Sequence, residues 1–264
     1  MRRGNAGAFS GADQACVVTW LALVAWGRPA LAQDTSHKAR PISYGAEMTF
    51  GSGHADRGFI ISDRPVLQPV TWVTGGGAEF SVWTNFTLTE TTDGSRPQIL
   101  ETALTHEGRW KHLTIAPAIT MFFYRDLMST DRDRSIQGWL YLSYDVRPFR
   151  LFTNHSLDLL TYRGAYYGEA GIEWQRHVSP GVALGSSFGA GWASSAFNDD
   201  YAGVAKSALD RVFAKGWLTA HVNPHWYIGP HVAFSTIVDR DVRAGADVVR
   251  PTYILVSLTT GGEF

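Results

Sequence analysis

The chain has 264 residues with 23 basic and 24 acidic side chains, a formal net charge of −1, 13% aromatic residues and 27 glycines. A balance without basic excess excludes a nucleic-acid partner held by bulk charge, and the single cysteine, Cys16, excludes a disulfide framework.

Arg2 and Arg3 open the chain, an apolar run covers 15–26, and Ala30-Leu31-Ala32 places small residues where a signal peptidase reads. This pattern predicts a secretory signal peptide over 1–32, cleaved after Ala32. The apolar run is shorter than the roughly 20 residues a spanning helix needs. Cleavage removes Arg2, Arg3, Asp13, Cys16 and Arg28, leaving 20 basic and 23 acidic residues and no thiol. No later stretch stays apolar for about 18 residues, which excludes a helical membrane protein.

Residues 33–42 are polar, carry Pro41 and have no period; they read as an N-terminal periplasmic tail. Alternation begins at Ser43, with Tyr44, Ala46, Met48 and Phe50 apolar and Gly45, Glu47 and Thr49 between them. A period of two means strand. It recurs over 79–88 and 113–121, and further strands are predicted over 67–73, 98–105, 138–145, 149–160, 166–175, 182–192, 211–221, 226–236 and 252–264. That makes twelve, an even number of segments about ten residues long, as a bacterial outer-membrane barrel has.

The connections alternate in the same sense. Compact turns at 75–77, 106–108, 146–148, 177–181 and 222–224 contain Gly, Pro or Asn, whereas the polar connections 51–66, 89–97, 124–136, 193–210 and 237–251 are long; only 161–165 is short. Short periplasmic turns and longer outer loops are the barrel pattern. The fold class predicted is all-β, an antiparallel transmembrane β-barrel of about 12 strands over 43–264, in the outer membrane of a Gram-negative bacterium. Ile254, Val256, Leu258 and Thr260 alternate toward a terminal Phe264, a cue for the barrel-assembly machinery. Outer-membrane lipids and lipopolysaccharide are the other expected partners.

If the apolar set faces lipid, the opposite set faces a lumen. It contains Glu47, Glu79, Glu101, Asp158, Glu169 and Glu173, with Arg150, Arg211, Lys215, His112, His221 and His231. Acids gather on the first, third, fourth and eighth strands and Arg211 and Lys215 on the tenth, which raises the prospect of two opposed walls of charge. Such walls set up a transverse field that filters ions; a paired, hydrogen-bonded plug is the other use of buried charge. Ala183, Gly185, Ser187, Gly189 and Gly191 would leave space on the ninth strand, while Trp83, Trp139, Tyr141, Phe213 and Trp217 take space elsewhere. Trp72, Trp110, Trp174, Trp192, Trp226, Tyr124 and Tyr144 fall near strand ends and read as interfacial girdles.

The segment from Phe50 to Pro69, with Arg57-Gly58, Ser62-Asp63, Pro65 and Gln68, is followed by Phe80-Ser-Val-Trp83-Thr-Asn85. It resembles the opening of the TorF-type porins over roughly residues 43–88, although Pro69 and Val70 stand where glycines are usual. The resemblance implies an outer-membrane barrel of unestablished substrate. Arg57 is expected to turn into the lumen against Asp63 or Glu79, or else to remain a solvated loop residue.

No catalytic constellation emerges. His155 and Ser156 are adjacent on a strand and so point to opposite faces; His177 and Ser179 lie in a turn. Loop acids Asp131, Asp133, Asp199, Asp200, Asp239 and Asp241 suit solvation or divalent ions between lipopolysaccharide molecules. His221 and His225 flank a turn without metal-ligand spacing. The function read from the sequence is therefore a porin-like channel for passive diffusion of small hydrophilic solutes or ions, with no cofactor and no enzymatic role. A barrel hydrolase for lipid or peptide, or a structural or receptor barrel with a plugged lumen, are the alternatives.

Overall fold

A computed structural model of the protein describes residues 42–92, 94–125, 134–245 and 250–264. The predicted signal peptide, residues 33–41 of the tail, and Asp131 and Asp133 lie outside the described residues.

Alternating side chains produce long strands joined in chain order. They are β1 (Ser43–Gly51), β4 (Val66–Gly75), β5 (Ala78–Thr87), β6 (Gln98–His106), β8 (Leu113–Arg125), β9 (Arg134–Val146), β10 (Phe149–Asp158), β11 (Tyr166–Ser179), β12 (Val182–Ala193), β13 (Ala208–His221), β14 (Trp226–Ile237) and β15 (Thr252–Glu263). The first and last of these pair antiparallel, Gly45 opposite Glu263 and Gly51 opposite Ser257. The fold is thus a closed barrel of twelve antiparallel strands with no free edge. Among the described residues no helix is long and apolar enough to cross a membrane.

Parity is kept along the strands except at bulges, between His177 and Ser179 of β11 and at Asp210 of β13. In β1, Tyr44, Met48 and Phe50 are exposed while Glu47 and Thr49 are buried; in β8, Ile115, Ile119 and Met121 are exposed while Thr114, Ala118, Thr120 and Phe122 are buried. The outer surface is consequently an apolar band that includes Leu104, Phe188, Ile254 and Val256, each more than half exposed. Water could not stabilise such a band on a free monomer; hydrocarbon does.

Turns at one end are tight. Gly76 and Gly77, at φ +61° and +85°, connect Gly75 to its partner Ala78, a two-residue hairpin whose positive φ angles glycine adopts without a Cβ penalty. One turn differs from the sequence expectation at 106–108. There the short β7 (Gly108–Trp110) continues along β8, held as Arg109 Nη2 bonds Asp145 Oδ2 at 2.9 Å, and the chain reverses at Lys111 and His112. His112 therefore sits in a turn against the exposed Tyr144, at 5.9 Å between rings, and not in the lumen.

Long connections at the other end carry structure. The first holds a hairpin, β2 (His54–Asp56) with β3 (Phe59–Ser62), whose strands pair with each other and with no other described strand. Helix α1 (Ser195–Ala202) starts where Ser194 Oγ accepts a bond from Phe197 N and ends at Gly203, φ +67°; helix α2 (Arg240–Gly245) lies in the last loop. Hairpin and helices fold over the lumen and pack Phe59, Tyr162, Tyr167, Phe197, Tyr201, Ile237 and Val242 into one buried cluster. A second buried cluster joins Ile61 of the hairpin to Val70, Trp72, Trp83, Ile99, Ala118, Phe122 and Trp139 on β4–β9.

Two residues expected in the interfacial girdles belong to this interior. Trp72 has the same parity as the buried Val66 and Val70, and its ring lies over Gly45, where no side chain stands in the way. Tyr124 stacks on Phe122 at 6.0 Å. Trp110, Trp226 and Tyr144 are exposed, and Trp174 and Trp192 lie on the outward parity of β11 and β12.

The small inward residues of β12 do not leave space, as their sizes suggest they would. A Cβ added to Gly185 would stand 2.1 Å from Trp217 Cε2, and one on Gly189 would stand 2.5 Å from Phe213 Cζ. Rings from β13 lie flat across the neighbouring strand, so the glycines are the floor of a packed wall. Gly185→Val should destabilise the barrel by roughly 1–3 kcal/mol through overpacking. Urea unfolding followed by gel mobility in detergent checks this, and adding Trp217→Ala should recover most of the loss.

Candidate functional site

The lumen separates into two levels. At the long-loop level, Glu169 of β11 and Arg211 of β13 both face Gly191 of the strand between them. Because Gly191 has no side chain, the Arg211 guanidinium reaches across to Glu169 Oε2 at 2.5 Å, with both side chains buried. Glu169 and Arg211 thus pair across one intervening strand and do not stand on opposed walls. Arg211 lies 4.8 Å from the Phe213 ring centroid, and its stem packs against Gly58 of the hairpin.

Arg57 stands at the hairpin tip with φ +46°, beside Gly58 at +107°. It is buried in the lumen, but against other partners than Asp63 or Glu79: Nη2 donates to Gln137 Oε1 at 2.6 Å and Nε lies 3.6 Å from Asp56 Oδ1. Its guanidinium carbon is 4.8 Å from the ring centroid of Trp139, 5.5 Å from that of Phe197 and 5.7 Å from that of Tyr167. Three aromatic faces around one cation form a cage in which quadrupole attraction replaces part of the lost hydration. Gln137, Phe197 and Asp56 escaped the sequence reading because their roles arise only when the loops fold inward; the Arg-Gly pair was the one visible signal.

The remaining candidates fall into place around this core. Ser62 Oγ bonds the Arg64 backbone, and the Pro65 carbonyl accepts from Leu88 N. Gln68 Nε2 donates to Asn85 Oδ1 at 3.0 Å and lies 3.1 Å from His54 Nδ1. Asp158 accepts from Ser135 Oγ and from the amides of Leu160 and Tyr162, which makes it the cap of the fourth loop. Glu101 is 1% exposed, and neither carboxylate oxygen has a hydrogen-bond partner among the described residues.

At the short-turn level, Arg150 links Asp145 at 2.9 Å and Glu173 at 3.5 Å, and Lys215 Nζ lies 5.2 Å from the Phe213 ring centroid. Glu47 accepts from Tyr227 Oη at 2.6 Å. Glu79 and His231 are half-buried on inward parity, and His221 is exposed at the mouth, 5.9 Å from Tyr227. The Arg150 and Asp145 side chains are 24% and 21% exposed, against 2% for Arg57 and 1% for Glu169. Solvent therefore reaches the charges near the short turns, while those beneath the loops are dry. His155 points outward to Tyr166 and Ser156 is buried inward, so they share no site.

Outside the strands, charged clasps tie loops to one another. Thr92 Oγ1 donates to Asp63 Oδ2 at 2.5 Å, while Arg64 and Arg250 approach the same carboxylate at 3.7 Å. The Thr92 hydrogen bond, with help from the two arginines, holds the Asp63 carboxyl below its ordinary value. Lys206 Nζ bonds Asp239 at 2.8 Å and Asp241 at 2.7 Å; these bonds raise the lysine, and its bond lowers Asp239.

No protein-family model and no curated protein matches the sequence. Solved structures do match in shape. An outer membrane channel from Pseudomonas putida F1 superposes with a TM-score of 0.51 at 7% identity, over 88% of this chain and 100% of the other. The NanC porin gives 0.47 at 13% identity, and the KdgM porin 0.45 at 8%, each over 84% of this chain and 98% of the other. At these identities the likeness is one of fold.

Because the folded-state value of Asp63 is depressed, its stabilisation of the loops is complete above the ordinary aspartate value of 3.8 and is lost as pH falls through the lowered value. Asp63→Asn should mimic that loss at neutral pH. Limited digestion of the loops by a protease of broad specificity should accelerate in the variant, and acid should loosen the wild-type loops but leave the variant unchanged.

Proposed function

We propose that this protein is an outer-membrane porin-like channel through which small hydrophilic solutes or ions diffuse passively. The observation that carries the reading is a closed barrel with an apolar outer face and an ion-paired polar interior, the lower half of which is wet. Side chains at the short-turn mouth, Glu79, Arg150, Glu173, Lys215, His221 and His231, form the vestibule. Glu47 lies at the same level, bonded to Tyr227, and Glu101, Asp158, Glu169 and Arg211 line the route above it. Twelve strands enclose more room than the eight that side chains alone fill and less than a wide 16-stranded pore. The resemblance of residues 43–88 to TorF-type porins supports the same location.

In this reading the short turns face the periplasm and the structured loops face outward, where loop acids meet lipopolysaccharide. Phe264 supports recognition by the barrel-assembly machinery: its backbone closes on Tyr44 at 2.9 and 3.0 Å, and its ring stacks on His225 at 5.3 Å. A plugged structural barrel is favoured by one feature, the packed cluster under the loops.

Reconstitution in a planar bilayer separates the two. Discrete conductance steps are expected from the folded barrel, and their absence would establish the plugged form. Lys215→Glu should move the permeability ratio toward cations by a few-fold or more, since in a water-filled pore a unit charge changes the energy of an ion about 4 Å away by about 1 kcal/mol. Lys215 suits the test better than Arg211, whose removal would strand the buried Glu169 at a cost of several kcal/mol.

A further inference from the structure

Arg57 fills a cage that it does not itself build. Gln137 and Trp139 come from β9, Tyr167 from β11 and Phe197 from α1, whereas the hairpin contributes only the guanidinium and Asp56. Among the described residues that hairpin makes no ladder with the barrel, so it can shift without breaking any of their barrel strand pairings. Arg57 also holds φ +46°, a left-handed conformation that costs a non-glycine residue and that the surrounding contacts maintain.

Polar atoms beside the cage exceed what Arg57 uses. Glu101 lies within electrostatic range of Arg57 and Asp56, yet both of its buried oxygens lack hydrogen-bond partners. Thr120 Oγ1 and Tyr124 Oη on the neighbouring β8, and Trp139 Nε1 on β9 beyond it, are buried and likewise lack hydrogen-bond partners among the described residues. Buried polar groups left open in this way are ordinarily satisfied by water or a ligand. With the hairpin withdrawn, the barrel wall at this level presents Glu101, Asp158 and Glu169 against Arg211, an acidic excess among the described residues.

We propose that Gln137, Trp139, Tyr167 and Phe197, with Glu101 beside them, form a binding site for guanidinium or organic ammonium solutes, which Arg57 occupies as a tethered surrogate until such a solute displaces it. The planar cation would lie against the Trp139 face as Arg57 does and donate its remaining N–H groups to Glu101. This assignment deepens the channel reading by giving it a solute class and a closed state, and it rests on that reading for transport alone.

The test is chemical rescue. Arg57→Gly empties the cage and accepts the positive φ without strain. Titration calorimetry with ethylguanidinium chloride against the folded barrel in detergent, at constant ionic strength, should give millimolar binding for Arg57→Gly and at least tenfold weaker binding for the wild type. Adding Glu101→Gln to Arg57→Gly should weaken binding about tenfold or more, the scale of one lost charge-assisted hydrogen bond. Equal binding by wild type and Arg57→Gly, or indifference to Glu101→Gln, overturns the site. If Arg57→Gly fails to fold, wild type and Glu101→Gln are compared at higher ligand concentration, and equal binding overturns the proposal in the same way. In bilayers, Arg57→Gly should conduct at least twofold more than wild type with cation preference. Binding without any conductance would sink the channel reading and leave the site standing.

Discussion

Peptide groups placed in hydrocarbon have no water to bond, so each N–H and C=O within the bilayer must find its partner inside the chain. For a chain of ten-residue strands there is one way to do this, and the pairing of β1 with β15 accomplishes it. Once the sheet closes, the two-residue period sends every side chain either to lipid or to an enclosed interior. Charges such as Glu169 and Arg211 are then forced inward together, because the alternative positions are occupied by acyl chains.

An enclosed interior makes each charge dependent on its neighbours. Two strands bearing opposite charges normally stand about 9 to 10 Å apart across an intervening strand, too far for contact unless the strand between is bare. Gly191 makes it bare for Glu169 and Arg211; the same device lets Tyr227 cross Gly261 to reach Glu47. The glycines of β11, β12 and β15 are thus permissive sites for cross-strand chemistry, and large rings from adjoining strands spread over them. This explains why small residues on β12 do not widen the lumen: in a closed sheet, any face left empty is claimed by the nearest long side chain.

The barrel itself was legible in the sequence because its signal is periodic and local. Each strand announces itself by alternation, each tight turn by Gly, Pro or Asn, and the inward parity of Glu47, Glu101, Glu169, Glu173, Arg211 and Lys215 follows from counting by twos. Residues whose position depends on what lies across the lumen were not legible. Trp72 and Tyr124 sit near strand ends, where the aromatic rule predicts an interface, yet parity and an open glycine or a stacking partner hold them inside. Arg57 gave a partial signal through its pairing with Gly58, but its partners come from β9, β11 and α1, more than 75 residues away. Loops have no period, so nothing local encodes which wall they will touch.

The two levels of the lumen follow from where the loops can reach. A hairpin of the length of β2–β3, anchored at the rim, extends only part of the way down, and α1 and α2 cover what remains of the opening. Below that depth Arg150, Asp145 and Lys215 keep contact with solvent, and their interactions are screened and individually weak. Above it, water is excluded, so the same types of charge interact strongly and must be matched one by one. Arg57 and Asp56 are carried by the movable element, whereas Glu101, Glu169 and Arg211 belong to the fixed wall. Any displacement of the hairpin therefore removes a paired cation and anion from the dry level together and admits water to the charges of the fixed wall in the same motion.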